Sequence, residues 1–487
     1  MTPSLTLEWN SILPWLVLSA TIVVSLVTDL CVKEGKKEWV GGVAMGGLVL
    51  TGICILVSCW GREVIGFNGM VSSDPLSLFL DLLILLCAAF ALLLSFQYVE
   101  REGIQLGEYY ILLLISTLGM MVMVHAINFI VLFVGLEILS LPLYILCGLR
   151  RNRAGSIEAA LKYFLLGSFA SALFLFGVAW LYVWTGSTQI VALRSFTSPL
   201  FSGSLGFWFA VSLIWVGLAF KIAAAPFHMW VPDVYEGAPT SITAFMAAGV
   251  KVAAIGVVVR MAALIFPFLA AVDWKSVFWV LAALSMVVGN GVAVAQTNIK
   301  RMLAYSSIAH AGYLLVGLTA ANAVGFTGIL FYLFVYALMT FGSFGVVIAF
   351  GEKGDEKLCL EDYIGMGWKR PFLGFAMIVV MFSLAGLPPT AGFIGKFYLF
   401  SGAVEAGYPG LAVLGVLTSV VSAFYYLRVL MYMYMKETPS TTAPHGSSLV
   451  LTPGDIAVLL SIVGLLCFGI FPSKLLALVQ KTVTYLL

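Results

Sequence analysis

The strongest constraint on this chain is a series of apolar runs that recurs along all 487 residues. Each run is about 20 residues long and nearly free of charge, the length an α-helix needs to cross the ~30 Å hydrocarbon core of a bilayer. Hydrocarbon offers no partner to an unpaired N–H or C=O, so elements that satisfy their own backbone are required there. An all-α polytopic membrane protein of about fourteen transmembrane helices is predicted. The first five spans fall near 12–32, 40–60, 76–98, 108–124 and 128–149. Four more fall near 155–184, 205–228, 239–265 and 274–296, and the last five near 301–320, 323–351, 371–404, 409–435 and 454–473. Connections are short except at 185–204, 351–370 and 436–453, the last a Ser/Thr/Pro-rich stretch read as a flexible loop. A first membrane helix is expected at the N-terminus rather than a cleaved signal, since neither a basic leader nor an A-x-A-like site is present.

Only 10% of the residues are charged, against about 25% in a soluble domain. The net charge of +2 gives no basic surface for nucleic acid, and no nucleic-acid partner is expected. Seven cysteines stand singly, without a C-x-x-C or a His/Cys cluster, which argues against iron–sulfur, zinc or haem ligation. No G-x-G-x-x-G follows a strand-like segment. No cofactor is expected in this chain.

Basic residues orient the spans. Loops after odd-numbered spans hold fourteen Lys and Arg, among them Lys33, Arg101, Arg150, Lys300 and Lys436. Loops after even-numbered spans, with the C-terminal tail, hold five. Both termini are therefore expected on the outer side.

Six cations remain inside helices: Lys162, Lys221, Lys251, Arg260, Lys396 and Arg428. A charge at the bilayer centre costs roughly 2.5–3.5 kcal/mol on insertion scales, so it marks a candidate functional site. Arg260 and Arg428 lie within about two turns of helix ends and are expected to snorkel to the interface. Lys221, Lys251 and Lys396 lie deep in their spans, and Lys162 about 10 Å from the start of its own, by the 1.5 Å rise. Structural ion pairs are the plain alternative for these four; their number and common depth favour function. Glu137 sits mid-span, where Pro142 frees the carbonyl of Ile138. Glu158, four residues before Lys162, shares its helix face. Asp81, near an outer helix end, is expected to be solvated. His310 lies about 14 Å into the tenth span, one turn beyond Ser306 and Ser307, and its ordinary pKa near 6.5 suits a proton relay. His228 is read as interfacial.

Two spans are expected to be broken. Pro226 follows Lys221 by five residues and removes the hydrogen bond that the carbonyl of Ile222 would accept. Pro388 and Pro389 interrupt the twelfth span ahead of Lys396. Asn128–Glu137 and Asn298–Ser307 open comparable helices, at an offset of roughly 160–175 residues. Spans four to eight and nine to thirteen would then be inverted five-helix repeats, an arrangement that builds ion pathways near the midplane. The chain divides accordingly into 1–107, 108–265, 266–435 and 436–487.

The run LAFKIAAAPFHMWVPDVYEGAPTSITAFMAAGVKVA resembles the core signature of the antiporter-like membrane subunits of respiratory complex I, relatives of Mrp-type cation/proton antiporters. The resemblance covers nearly the whole chain. It assigns the buried glutamate of the fifth span to Glu137 and the lysine of the sixth to Lys162. The lysines of the seventh and eighth fall on Lys221 and Lys251, and the histidine of the tenth on His310. LAYSSIAHAGY and GLPPTAGFIGKFYLF look most like the N-type subunits, which carry a lysine where M-type subunits carry a glutamate; Lys396 matches. The family implies proton conduction coupled to NADH oxidation and quinone reduction in partner subunits. Those partners would hold NADH, FMN, iron–sulfur clusters and quinone, and would include a neighbouring antiporter-like subunit alongside membrane lipid. A bacterial inner-membrane location follows. The expected relay runs from Glu137 and Lys221 through Lys251 and His310 to Lys396. In that relay Lys396, near the positive pole of its half-helix, is the release site and Lys221 the resting carrier. An Mrp-like sodium/proton antiporter is the alternative; it would need carboxylates for its cation.

Overall fold

The computed structural model describes residues 8–33, 35–104, 106–196, 205–265, 274–436 and 452–487. Residues 437–451 of the loop expected at 436–453 lie outside them. Among the described residues, thirteen helices are long and apolar enough to cross a membrane. The twelfth span is two shorter pieces, Pro371–Ala385 and Ala391–Glu405, which brings the count to fourteen. The seventh is also divided, into Leu205–Ile222 and the short Val231–Gly237.

The spans are not equally placed. Every residue in the most apolar stretch of Thr240–Ile265 is buried, as is 94% of that in Ile299–Ala320 and 89% of that in Ala323–Phe350. The corresponding shares at Leu13–Cys31 and Pro453–Ile470 are 22% and 28%. The eighth, tenth and eleventh spans are thus the centre of the bundle, and their polar side chains are shielded by protein.

Glycines let the helices approach closely, as small residues do where lipid supplies no hydrophobic drive between helices. A Cβ on Gly119 would meet the Leu139 amide nitrogen at 2.3 Å, so the fourth and fifth spans touch backbone to backbone. A Cβ on Gly289, 170 residues on, would meet the Ala309 nitrogen at 2.5 Å, between the ninth and tenth. The entries to those helices match as well. Phe129 N–H donates to Thr188 O (2.9 Å) and Ile190 N–H to Ile127 O (3.0 Å). Ile299 N–H donates to Leu358 O (2.8 Å) and Leu360 N–H to Thr297 O (2.9 Å), each position again 170 residues later. Asn128 and Asn298 cap the two helices with their side-chain oxygens.

The all-α expectation needs two additions. Val64–Gly66 and Val71–Ser73 pair as an antiparallel hairpin whose turn puts Phe67 and Asn68 at φ 52° and 54°. Beyond the fourteenth span, Pro472 starts a further helix, Ser473–Leu486. It buries Leu475, Leu476, Val479 and Val483 and leaves Lys474 and Lys481 outside.

Three charges sit differently from expectation. Arg260 does not snorkel: it is buried and grips Asp74 with both terminal nitrogens, at 2.5 and 3.0 Å. Asp81 is not solvated: it is fully buried, 2.7 Å from His125 Nε2. Linear depth along a helix says how far a residue is from an end, but not which neighbours roof it over. Arg428 is half-buried and donates to the carbonyls of Val294 (2.8 Å) and Gln296 (2.5 Å), closing the end of the ninth span.

Glu356, in the 351–370 loop, ties one end of the bundle together. Its Oε1 accepts from Tyr98 (2.6 Å) and Thr240 (2.7 Å), and Arg150 grips both of its oxygens. Burial would raise its pKa, but the charges of Lys300 and Arg150 outweigh burial and hold the carboxyl below its ordinary value. That stabilisation is complete above an ordinary pKa near 4.5 and is lost as pH falls through the lower folded value. Glu356→Gln should therefore destabilise the protein at pH 7 by about 3 kcal/mol, as breaking a buried pair does. It should also flatten the loss of stability below pH 4.5, read as thermal midpoints against pH.

Candidate functional site

Both breaks come from proline, and both are closed by local donors. At the first, the Ala225–Pro226 bond is cis and Ala223 turns to φ 61°. Ala224 N–H reaches Ala219 O at 3.0 Å, Trp230 Nε1 donates to Phe220 O at 3.2 Å, and Ala225 N–H donates to Ser285 Oγ at 2.9 Å. At the second, Pro388–Pro389 is cis and Gly386, at φ 82°, lets the chain turn out of the first half-helix. Leu387 N–H then bonds Phe382 O at 2.9 Å and Gly392 N–H bonds Ser383 Oγ at 3.2 Å.

Lys221 lies in the last turn before the first break and is 3% exposed. Its ammonium donates to Ser140 Oγ at 2.7 Å and lies 5.6 and 5.3 Å from the ring centres of Tyr144 and Tyr163. Aromatic faces stabilise a cation at that range. The expected direct partners are not engaged. Among the described residues Glu137 makes no ion pair with Lys221, and its buried Oε1 has no hydrogen-bond partner. No bond to the Ile222 carbonyl forms either. Ser140, three residues after Glu137 on the same helix, is the side chain that accepts from Lys221 instead.

Lys251 is 2% exposed and follows a π-helical turn at Met246–Val250. Its ammonium donates to Ser307 O and Ser307 Oγ, both at 2.6 Å, and approaches Tyr336 OH at 3.5 Å. Tyr336 OH itself donates to Ser307 Oγ at 2.9 Å. His310, one turn on from Ser306 and 1% exposed, bonds Tyr332 OH through Nδ1 (2.6 Å) and Tyr426 OH through Nε2 (3.0 Å). Tyr426 also bonds Ser306.

Lys396 is 4% exposed. Its ammonium donates to the carbonyls of Leu384 (2.9 Å) and Ala385 (3.1 Å) and to Ser419 Oγ (2.8 Å), 4.7 Å from the Tyr313 ring centre. The side chain starts near the positive pole of the second half-helix, as expected. Its charged end, however, crosses the break to the carbonyl end of the first, which offsets that pole.

Three hydrogen-bonded clusters, around Lys251, His310 and Lys396, are therefore joined by rings. Tyr336 and His310 are 5.2 Å apart and His310 and Tyr313 5.5 Å, centre to centre. Hydroxyls both donate and accept, so the oxygens of each cluster can hand a proton on. Lys221 stands apart from the other three. Beside Lys221 stand the aromatic rings of Tyr163 and Trp230, stacked at 4.6 Å, and among the described residues the Tyr163 hydroxyl has no partner.

Lys162 is not in this line. Its side chain is 38% exposed and ion-paired to Glu158 (2.6 Å) and Asp233 (2.5 Å). Asp233 also binds Arg301 (2.8 Å), which binds Glu236 (2.8 Å). The short half-helix Val231–Gly237 supplies both acids. Sequence reasoning passed over Ser140, Tyr332, Tyr336, Ser419 and Tyr426. The available signal was a tyrosine inside an apolar span, since a buried hydroxyl needs a partner.

Residues 126–422 match the family model described as NADH:quinone oxidoreductase/Mrp antiporter, TM. The chain is 45% identical to the NADH-quinone oxidoreductase subunit N of Trichlorobacter lovleyi over 479 residues, 98% of this chain and 97% of the relative. The subunit N of Chloroflexus aggregans is 41% identical over 483 residues, covering 97% and 96%. Among solved structures, a chain of respiratory complex I from Thermus thermophilus with bound aureothin superposes with a TM-score of 0.79 at 36% identity, covering 95% of this chain and 98% of that one. A chain of the Mrp complex from Dietzia sp. shares the fold, with a TM-score of 0.84 at 20% identity over 99% and 98%. A family match across most of the chain, with full-length relatives at this identity, means that the chain belongs to the NADH:quinone oxidoreductase/Mrp antiporter membrane family, alongside its subunit N members.

Proposed function

We propose that this chain is a proton-translocating membrane subunit of a complex I-type NADH:quinone oxidoreductase, with the redox chemistry in its partners. NADH, FMN, iron–sulfur clusters and quinone belong to those partners in this reading. The chain itself moves protons beside a neighbouring antiporter-like subunit in a bacterial inner membrane. One observation carries the proposal. Lys221, Lys251 and Lys396 are nearly inaccessible, and among the described residues none has a carboxylate within ion-pair distance. Arg260 and Arg150, which are equally buried, are held by Asp74 and Glu356. A carboxylate fixes a cation in one protonation state, whereas hydroxyls and carbonyls leave it free to exchange. The same feature disfavours sodium/proton antiport, because a sodium ion wants carboxylates and this path is dominated by lysines, with Glu137 as its one acid.

The path runs from Lys251 through His310 to Lys396. Lys221 and Glu137 form its other half, and water or a side-chain shift closes the aromatic interval between them. The 170-residue recurrence supports the two inverted repeats, since five spans separate the matching helix entries. Lys162, with Asp233 and Glu158, serves as a charged mouth to the path rather than as a link in it.

Lys396→Arg tests the relay. Arginine keeps a charge it cannot release near neutral pH. In the assembled complex it should reduce proton-coupled quinone reduction about a hundredfold, the lower end of what a positioned proton-transfer group contributes, and as much as Lys396→Ala does. NADH oxidation by an artificial acceptor should be unchanged. An arginine variant that pumps normally makes Lys396 only an electrostatic post.

Orientation is tested independently. With both termini outside, alkaline phosphatase fused after Leu487 should be active and the same reporter at Asp355 inactive. The reverse pattern overturns the reading from loop cations.

A further inference from the structure

A cleft of 810 Å³ opens where the first, fourth and fifth spans end together. Its wall is apolar: Leu26 lies within two turns of the end of Leu13–Cys31, Ile111 in the second turn of Gly107–His125, and Ile145 in the last turn of Phe129–Cys147. Leu26 and Ile145 are 49% and 54% exposed, so the wall faces outward rather than into the bundle. That depth is where acyl chains meet headgroups.

The rim is basic. Arg101, Arg150, Arg151, Arg153 and Lys353 line it, against Glu102 and Glu108. Glu102 is shared by Arg101, Arg150 and Arg153, and Glu356 is taken by Arg150 and Arg153. Arg151 and Lys353 are exposed and have no carboxylate within ion-pair distance among the described residues. Arg150 is 6% exposed, and among the described residues its Nε and Nη2 of Arg101 have no hydrogen-bond partner. Two unpaired cations, with the buried guanidinium of Arg150 beside them, thus stand above an apolar wall.

We propose that this cleft holds one anionic phospholipid. Its phosphodiester lies against Arg150, Arg151 and Lys353, and its acyl chains lie along Leu26, Ile111 and Ile145. A soluble phosphate would satisfy the rim and leave the wall wet. An uncharged lipid would satisfy the wall and leave the rim unpaired. Basic pockets between spans recognise headgroups in this manner.

The test uses the assembled, detergent-purified complex and phosphatidylglycerol carrying a photoreactive acyl chain. Label is expected on peptides containing Leu26 or Ile145. The pair Arg151→Gln and Lys353→Gln removes neither an ion pair nor a residue of the relay. It should weaken labelling about thirtyfold, at ~1 kcal/mol for each basic residue near the headgroup. Lys33→Gln with Lys36→Gln, outside the cleft, should leave labelling unchanged. Phosphatidylcholine should not compete. The proposal fails if the Arg151/Lys353 variant labels like the parent. It fails equally if phosphatidylcholine competes as well as phosphatidylglycerol, or if glycerol 3-phosphate displaces the label, which would make the rim a simple anion site. Crosslinking of a cysteine placed at Leu106 to a neighbouring subunit, in place of lipid labelling, also overturns it.

Discussion

An ammonium group at membrane depth has to be given acceptors by the protein, because hydrocarbon offers none. Proline supplies part of the answer here. It interrupts two spans and leaves helix ends in the interior, where carbonyls and side-chain donors would otherwise be consumed by the helix. Lys396 docks on two such carbonyls, Leu384 and Ala385. Lys221 sits at the edge of the other break and takes a serine hydroxyl from the fifth span. The surrounding architecture serves these two openings: closely packed glycine contacts hold the helices against them, and Trp230 and Ser285 satisfy the backbone that the first break exposes.

The buried cations then divide into two kinds. Arg260 with Asp74 and Arg150 with Glu356 are pairs whose members neutralise one another, and removing either partner would leave an uncompensated charge. Such pairs hold the fold. The three lysines of the central line rest on neutral oxygens and on aromatic faces, which leaves their protonation open to change. His310 lies between two of them, clasped by Tyr332 and Tyr426 on its two ring nitrogens. A neutral imidazole donates from one nitrogen and accepts at the other, so the two tyrosines suit a group through which a proton passes.

The two halves of the chain are alike in how their helices begin and unlike in what they carry. At equivalent positions 170 residues apart, Glu137 stands in the first half and Ser307 in the second, and Ser140 corresponds to His310. In each half these positions receive a lysine: Lys221 bonds Ser140, and Lys251 bonds Ser307. One scaffold thus presents a carboxylate in one copy and a hydroxyl and imidazole in the other.

Much of this was legible in the chain itself. The number of spans, the two breaks and the identities of the deep cations follow from hydrophobic length, proline and charge, which act locally along the sequence. What the sequence could not decide was pairing. Glu137 and Lys221 looked like partners from their depths, yet Lys221 bonds the hydroxyl of Ser140. Arg260 looked interfacial, yet Asp74, 186 residues away, holds it inside. Lys162 looked like one more deep lysine, yet Asp233 of Val231–Gly237, with Glu158, neutralises it where its side chain is part-exposed. Depth is a property of one helix, whereas a partner is supplied by another. Only the lateral packing of the spans determines which acceptor each charge meets.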